Sequence, residues 1–372
     1  MRVLAISAYG GLGGGELTFS TFLEHRPEDI EAEVLLVSDG PLRERLEAQG
    51  LWVRATEGCV GRPNPAMLAG FHRQVSPLLA EGDFDVAWCM GQKAVLLAAA
   101  PCRRHGVPIV WHKIDFSWDR LLAVPLALAS AGVIAVSEAV ADTLGPMRGR
   151  RPASIVGPPV RLARAVAPRF DPAQPAIGTL ARLVPYKGHH LIIEAGAVLR
   201  DEFPALRVLL AGGAAPQYPD YPAELAALAE SRGMGDAVEL SGHVEAPALL
   251  ERLTVFVNAT FRDEEGFGFE GLSGAMLEAG LAGLPVVATR GGGTAEGLIP
   301  GATGTLVDDA DPAALAAAIR PYLADPELAR ATGAAGRRFV ESRFAPEVVS
   351  ERLWDALRAS ARNTPQAGAS SS

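Results

Sequence analysis

Two carboxylates stand eight positions apart in a segment that could hold a ligand with both phosphate and hydroxyl groups. Glu270 comes just before an alanine-rich helical pattern, and Glu278 lies about two turns into that pattern. The free N–H groups at the start of a helix attract anions, and carboxylates accept hydrogen bonds from hydroxyl groups. The spacing therefore indicates a site for a phosphate and a sugar together. It also leaves open a plainer interpretation, in which one acid caps the helix and the other faces solvent.

Two cations could receive the phosphates. Arg182 and Lys187 are five positions apart in the segment GTLARLVPYKGHH, after an apolar run of strand length and before a helical pattern. Such a pair suits a diphosphate, and two solvated charges are the alternative. Only Lys93, Lys113 and Lys187 are lysines among the 34 basic residues, which favours a functional role for Lys187.

A glycine-rich segment follows the first apolar run and opens a helical pattern. It extends from Tyr9 to Glu16 and includes Gly13, Gly14 and Gly15. Glycines let the backbone approach a ligand and leave N–H groups free at the helix start. A dinucleotide site is the competing interpretation, but the G-x-G-x-x-G spacing is not matched, and Asp39 is only a loose candidate for the acid expected about 20 positions later. A turn without a ligand also stays open.

Two further motifs contain side chains that could act in catalysis or bind a metal. His112 ends the run VPIVWH, with Asp115 close behind, so the side chain could be catalytic or simply packed. Asp83 and Asp85 resemble a metal-binding D-x-D motif. They begin a predicted strand at its amino end, however, where a turn is the better interpretation, since parallel sheets bind ligands at their carboxyl ends.

Buried strand-like runs alternate with helical patterns throughout the chain, which indicates an α/β protein with parallel sheets covered on both faces. We expect two Rossmann-like, doubly wound domains over residues 1–160 and 161–345, joined by a proline-rich linker near 155–176. The carboxyl ends of the two sheets would face a central cleft. A helix over 346–362 is expected to pack back on the first domain, followed by a disordered tail at 363–372.

Composition excludes several other classes of protein. The 372 residues fit two domains, and the net charge of −9 argues against nucleic-acid binding. Three cysteines without a C-x-x-C pair argue against a disulfide framework or a zinc site. No apolar run reaches the ~18 residues of a membrane span, and no basic leader precedes the first apolar run. We therefore expect a cytoplasmic protein, and peripheral membrane contact stays open.

Taken together, these motifs resemble the retaining family 4 glycosyltransferases of the GT-B fold, over nearly the whole chain. Six segments carry the resemblance in the family's order: GGGE at 13–16, AVSEAVADTL at 135–144, ARLVPYKG at 181–188, HVEAPALLERLTVFVNAT at 243–260, FEGLSGAMLEAGLAGLPVVATRGGG at 269–293 and GATGTLVDDADPAALAAAI at 301–319. The fifth resembles the family's Glu-x7-Glu region.

The resemblance implies a nucleotide-diphosphate sugar as donor and a hydroxyl-bearing acceptor on the first domain. Arg182 and Lys187 would neutralise the leaving diphosphate, Glu278 would accept the ribose hydroxyls, and His112 would sit over the reacting sugar. The sugar would be held by Glu270 and the N–H groups of Gly271, Leu272 and Ser273. The base would lie beside Gly242, His243 and Val244, and the donor phosphates beside Gly13, Gly14 and Gly15. The family needs no metal and has no firmly established protein nucleophile, so none is assigned.

The chain departs from the family pattern in two places. The usual Glu-Gly-Phe-Gly tetrad lies at 265–268, thirteen positions before Glu278, so Glu265 is an alternative sugar-binding acid to Glu270. Asn258 stands where the family commonly has a proline before a serine. Two other functions compete with transfer: an epimerase-like GT-B enzyme acting on a nucleotide sugar, and a non-catalytic partner of a glycosyltransferase. Arg182, Lys187 and Glu278 argue against the partner, which need not keep them.

Overall fold

The computed structural model describes residues 1–150, 153–262, 268–308 and 310–362. The chain divides into two compact units. Unit 1 comprises Met1–Pro159 together with the chain from Pro346 onward, and unit 2 comprises Val160–Ala345. Within the described residues, none of the helices combines the length and the hydropathy that a membrane crossing requires.

Unit 1 is built on a seven-stranded parallel sheet. Its strands are β1 (Arg2–Ser7), β2 (Glu31–Leu36), β3 (Trp52–Ala55), β4 (Val86–Met90), β5 (Ile109–Lys113), β6 (Gly132–Ala135) and β7 (Ala153–Ile155). They are ordered β3-β2-β1-β4-β5-β6-β7. The order reverses between β1 and β4, and open α/β sheets bind ligands at the carboxyl ends of the strands beside such a reversal.

Helices cover both faces of this sheet. They are α1 (Gly14–Glu24), α2 (Leu42–Ala48), α3 (Pro65–Glu81), α4 (Gln92–His105), α5 (Asp119–Ala129), α6 (Glu138–Asp142) and α7 (Met147–Arg150). Successive residues of β1 enter opposite cores: Leu4 and Ile6 pack in one hydrophobic cluster, and Val3 and Ala5 pack in the other. Burial on both faces explains why the strands appear as continuous apolar runs in the sequence.

The final helix of the described chain belongs to unit 1. Helix α14 (Pro346–Arg362) buries four large apolar side chains among those of β1, β4 and α1: Val349, Leu353, Trp354 and Leu357. The Trp354 ring meets that of Trp88 edge-on, with centroids 5.8 Å apart. At the surface, Arg358 donates to the Asp29 carboxylate at 2.8 Å. Helix α14 therefore closes one of the two hydrophobic cores of unit 1.

Unit 2 repeats the plan with six parallel strands. These are β8 (Ala176–Leu180), β9 (Arg207–Ala211), β10 (Val238–Gly242), β11 (Val255–Asn258), β12 (Val286–Thr289) and β13 (Gly304–Val307), in the order β10-β9-β8-β11-β12-β13. Its helices are α8 (His189–Leu199), α9 (Tyr221–Ser231), α10 (Ala246–Leu250), α11 (Gly274–Ala282), α12 (Pro312–Ala324) and α13 (Pro326–Phe344). The strand order reverses between β8 and β11.

The predicted α/β class with parallel sheets is confirmed, but two elements differ from the sequence interpretation. The sequence pattern over 311–343 predicts one continuous helix, but the structure has two. Pro326 cannot continue α12, and Asp325 caps α13 by accepting from the Leu328 N–H at 3.1 Å. Strand β7 was not predicted, since three residues beside a proline-rich stretch give too short an apolar run to recognise.

Candidate functional site

The loop after β8 brings the end of that strand against the end of β11. Residues Pro185–Lys187 form a 3₁₀ turn, and Gly188 then adopts a left-handed conformation (φ 71°) as the N-cap of α8. A Cβ atom at position 188 would lie 2.2 Å from the Ala259 carbonyl oxygen, so only glycine allows this approach. The turn thereby sets Lys187 beside the residues that follow β11.

Lys187 forms an ion pair with Glu270. The two side chains are only 12% and 22% exposed, so the pair is partly withdrawn from solvent. Thr260 Oγ1 donates to Asn258 Oδ1 at 2.9 Å and lies 3.4 Å from the other oxygen of Glu270, Oε2. The Gly293 N–H donates to the Glu270 carbonyl at 3.0 Å and fixes the backbone of the acid. One predicted cation and one predicted sugar-binding acid therefore share a site.

Arg182 lies on the same loop and is exposed. Its Nη2 is 3.4 Å from the Tyr186 hydroxyl, and among the described residues its guanidinium makes no ion pair. It thus remains available to an anion, whereas Lys187 already has a partner.

The N-terminus of α11 follows Glu270 closely. Ser273 caps the helix by accepting a hydrogen bond from the Met276 N–H at 3.4 Å. Gly271 and Ser273 are buried and Leu272 is half-buried, so this turn is part of the packed unit. Gly274, the first helical residue, is exposed, and among the described residues no atom outside its own helix and chain neighbours lies within 4 Å of where its Cβ would be. The start of α11 therefore leaves room for an anion.

Glu278 lies in the second turn of α11, close to the loop after β10. Burial raises the pKa of the Glu278 carboxyl to about 7, and the nearby Glu245 carboxylate adds to the rise. Gly242 adopts a left-handed conformation (φ 65°) at the end of β10, and its carbonyl accepts from the Gly212 N–H at 2.7 Å. His243 is exposed, while Val244 packs against the same apolar cluster as Leu272. The predicted base-binding loop and ribose-binding acid are therefore neighbours.

In unit 1, the glycine-rich segment borders a cavity at the carboxyl ends of β1, β4 and β5. Gly13 is the N-cap of α1, and Gly14 and Gly15 form its first turn, as predicted for a helix start. A Cβ atom at position 13 would lie 2.7 Å from the Glu16 carboxylate. The cavity has a volume of about 160 Å³ and is lined by the side chains of Ser7, Tyr9, Glu16, Gln92, Lys93, Asp115 and Trp118 and by Gly15.

Part of the chain matches a known protein family. The family model for glycosyl transferases group 1 matches residues 165–339. Residues 165–339 therefore form a glycosyltransferase group 1 domain. The chain is 29% identical, over 74% of its length and 76% of the relative's, to the GDP-mannose-dependent alpha-(1-6)-phosphatidylinositol monomannoside mannosyltransferase of Mycolicibacterium smegmatis. It is 31% identical, over 51% of its length and 52% of the relative's, to the lipopolysaccharide core mannosyltransferase LpcC of Rhizobium leguminosarum bv. viciae.

Solved structures show the same fold. The crystal structure of Anabaena HepE with UDP and glucose superposes with a TM-score of 0.80, covering 96% of this chain and 100% of that one at 21% identity. The GT-B fold implied by the resemblance is thus confirmed. The glycosyltransferase activity is supported by the group 1 domain and by the relatives named as mannosyltransferases.

The position of His112 in the glycosyltransferase departs from the prediction. Its side chain is 1% exposed and stacks on Trp88, with ring centroids 6.0 Å apart. Burial lowers the pKa of the imidazole to about 3, so the ring stays neutral. Strand β5 is buried on both faces, and the side chain of His112 points into the core that also holds Trp354 and Phe22. This burial favours packing over catalysis, and the catalytic role of His112 stays a prediction.

The predicted and observed site residues differ at a few other positions. Glu265 lies outside the described residues, so only Glu270 is placed in the site of the glycosyltransferase. Two residues beside Glu270 were not among those predicted for the site: Asn258 and Thr260, which contact each other. Asn258 and Thr260 could have been found, because both stand at the carboxyl end of a predicted strand.

Proposed function

We propose that the protein is a retaining glycosyltransferase that moves a sugar from a nucleotide-diphosphate sugar to a hydroxyl-bearing acceptor. Unit 2 binds the donor. The observation that carries the proposal is the cluster of Lys187, Glu270 and the start of α11 at the strand-order reversal, with Arg182 exposed on the same loop and Glu278 two turns away.

Each donor group has a chemical match in this cluster. Arg182, Lys187 and the N-terminus of α11 offer positive charge to the diphosphate, a fixed electrostatic arrangement that enzymes use to stabilise leaving groups. Glu270 and the N–H groups of Gly271, Leu272 and Ser273 face the sugar, while Glu278 accepts the ribose hydroxyls. Gly242, His243 and Val244 border the base. Several relatives are named as GDP-mannose-dependent enzymes, and GDP-mannose is therefore the first donor to test.

Transfer proceeds on one face of the sugar. The bond from the anomeric carbon to the diphosphate breaks as the acceptor oxygen bonds to that carbon from the same side, and the acceptor proton passes to the diphosphate. No protein nucleophile is assigned. The acceptor binds on unit 1, where the cavity beside Gly15 offers hydroxyl-accepting carboxylates.

The proposal is tested by incubating the protein with a panel of GDP-, UDP- and ADP-sugars. We expect one donor to raise the thermal midpoint and to be slowly hydrolysed, with release of a sugar of unchanged anomeric configuration. Absence of a response to every nucleotide sugar would rule the function out. Conversion of the donor into another nucleotide sugar would point to an epimerase, and binding without turnover to a non-catalytic partner.

We also propose that transfer needs no metal ion, because side chains of this chain carry the positive charge that faces the diphosphate. Activity measured in excess EDTA should stay within about twofold of the untreated value, and added Mg²⁺ or Mn²⁺ should also change it by less than about twofold. A metal-dependent transferase would instead lose several kcal/mol of charge stabilisation when the metal is chelated. Loss of activity in EDTA that Mn²⁺ restores would contradict this assignment.

Glu278 should link donor binding to pH. The carboxylate that accepts ribose hydroxyls forms only as pH rises through about 7. Donor affinity should therefore fall between pH 8 and pH 6, and Glu278→Gln should weaken binding at pH 8 by about tenfold to a hundredfold, the usual cost of losing hydrogen bonds to a charged group. Calorimetric titration with the active donor at both pH values measures both effects.

The same substitution should stabilise the protein without ligand. The folded protein holds the Glu278 proton more tightly than the unfolded chain, whose carboxyl has the ordinary pKa of 4.5, so this residue's contribution to stability falls as pH rises from about 4.5 to about 7. Glu278→Gln removes that cost, about 3 kcal/mol at pH 8 and less at pH 5. Urea unfolding at both pH values tests the sign; a variant that is less stable than the parent at pH 8 would contradict it.

A further inference from the structure

Helix α5 of unit 1 presents an apolar face to solvent. Leu121 and Leu128 are 80% and 58% exposed, and Val124 between them is also exposed. No charged residue occurs from 121 to 131, and the opposite side of the helix, with Leu126 and Ala127, is buried in the core. A helix that is apolar on both sides is typically covered on both. A continuous exposed apolar face marks a binding surface.

This face is continuous with the cavity of unit 1. Trp118 is the N-cap of α5, lines the cavity and leaves 46% of its surface exposed. Leu121, Val124 and Leu128 recur at helical spacing and therefore lie along one side of α5. Between Trp118 and Leu128 the helix rises about 15 Å. An apolar strip of that length, one helix wide, thus starts at the rim of the cavity.

The cavity itself suits hydroxyl groups. Among the described residues the Glu16 carboxylate has no hydrogen-bond partner, and Asp115 Oδ1 is held by Gln92 Nε2 at 2.6 Å and by the Ser117 N–H at 2.9 Å. These carboxylates can accept hydrogen bonds from a polyol. Lys93 also lines the cavity, where its Nζ donates to the Cys59 carbonyl at 2.9 Å and lies 5.3 Å from the centre of the Tyr9 ring.

A buried ion pair fixes the loop that joins the cavity to the strip. Lys113 is fully buried at the end of β5, and its Nζ donates to Asp119 Oδ1 at 2.6 Å and to the Asp115 carbonyl at 2.5 Å. Both ends of the segment 115–119 are tied to this one amine. Trp118, which has a left-handed backbone conformation (φ 57°) that is uncommon outside glycine, is therefore held at the boundary of the two surfaces.

We propose that the acceptor is an amphiphile whose hydroxylated head binds in the cavity and whose hydrocarbon chain lies along Leu121, Val124 and Leu128. Its identification as an acceptor rests on the proposed function, whereas its binding does not. The strip has one basic residue in its sequence span, Arg120, fewer than the clusters that bind anionic lipid surfaces. Its width of a single helix and its continuity with a cavity for a small head favour a hydrocarbon chain over a protein partner.

The test compares methyl and octyl α-mannoside, which share a head and differ in the chain. Below its micelle concentration, the octyl compound should bind the full chain at least tenfold more tightly, because burial of methylene groups is favourable. The double substitution Leu121→Gln, Leu128→Gln should reduce that preference at least fivefold. Both leucines are exposed, so the variant should fold, and its thermal midpoint checks this. The control Val198→Gln, Leu328→Gln changes two exposed apolar residues of unit 2 and should keep the full preference.

Equal affinity for the two mannosides, or a preference that survives the double substitution, would overturn the proposal. A concentration-dependent dimer that the double substitution dissociates would overturn it too, by assigning the strip to a second copy. Failure of the proposed function is seen separately in the nucleotide-sugar panel. A chain-length preference without response to any donor would refute the transferase and leave the amphiphile site standing.

Discussion

Lys187→Ala is expected to lower kcat by about a hundredfold to a thousandfold, the usual loss when one fixed charge or donor facing a developing anion is removed. In the proposed function Lys187 neutralises the diphosphate as it departs, so the loss should appear in kcat more than in KM. The measurement is steady-state transfer from the active donor, with circular dichroism to show that the fold is intact. Retained activity would remove Lys187 from the reaction.

Two variants separate catalysis from packing. Lys187→Ala leaves the partly buried Glu270 carboxylate without its cation, which could itself disturb the site. The double variant Lys187→Ala, Glu270→Gln removes that unpaired charge and should be as inactive as the single variant. Recovery of activity in the double variant would mean that Lys187 serves only to hold Glu270. Arg320→Ala breaks an exposed ion pair with Glu202 in the same unit and should leave transfer unchanged.

Trp354→Ala should reduce the free energy of unfolding of unit 1 by about 3–5 kcal/mol, as for other large buried aromatic residues. The ring is fully buried in the core that α14 closes, so its removal leaves a cavity among close-packed side chains. Urea unfolding followed by tryptophan fluorescence is specific to this unit. All five tryptophans, Trp52, Trp88, Trp111, Trp118 and Trp354, belong to unit 1.

The matched control is Trp52→Ala, which removes the same side chain from a position that is 65% exposed. It should change stability by no more than about 0.5 kcal/mol, as is usual for surface substitutions. Similar losses in the two variants would show that α14 adds no more to the core than a surface residue does.

Much of the fold could be predicted from the sequence, because strands buried on both faces leave uninterrupted apolar runs such as RVLAIS and VAWCM. Arg182, Lys187 and the glycine segment were placed on the correct loops for a related reason: parallel strands bring their carboxyl ends to one edge. The direction of single side chains could not be predicted. His112 lies at the carboxyl edge of the sheet, as expected, but its side chain points into the core.

Contacts between distant segments were also beyond prediction. The pairing of Lys187 with Glu270 depends on the approach of Gly188 to Ala259, which neither periodicity nor spacing reveals. The cavity of unit 1 collects residues from the ends of β1, β4 and β5, and only the rarity of lysine drew notice to Lys93. The exposed face of α5 could not be predicted either, since composition alone does not show which side of an apolar helix is covered.

The membership of α14 in unit 1 has a consequence for biosynthesis. Domains generally fold as the ribosome releases them, the N-terminal one first. Here unit 2 is a continuous stretch from Val160 to Ala345, whereas unit 1 needs residues that are made after it. Unit 2 can therefore complete its fold first. Until α14 is made, the face of the unit 1 sheet that packs against Trp354 stays uncovered. The order of completion is the reverse of the order of translation.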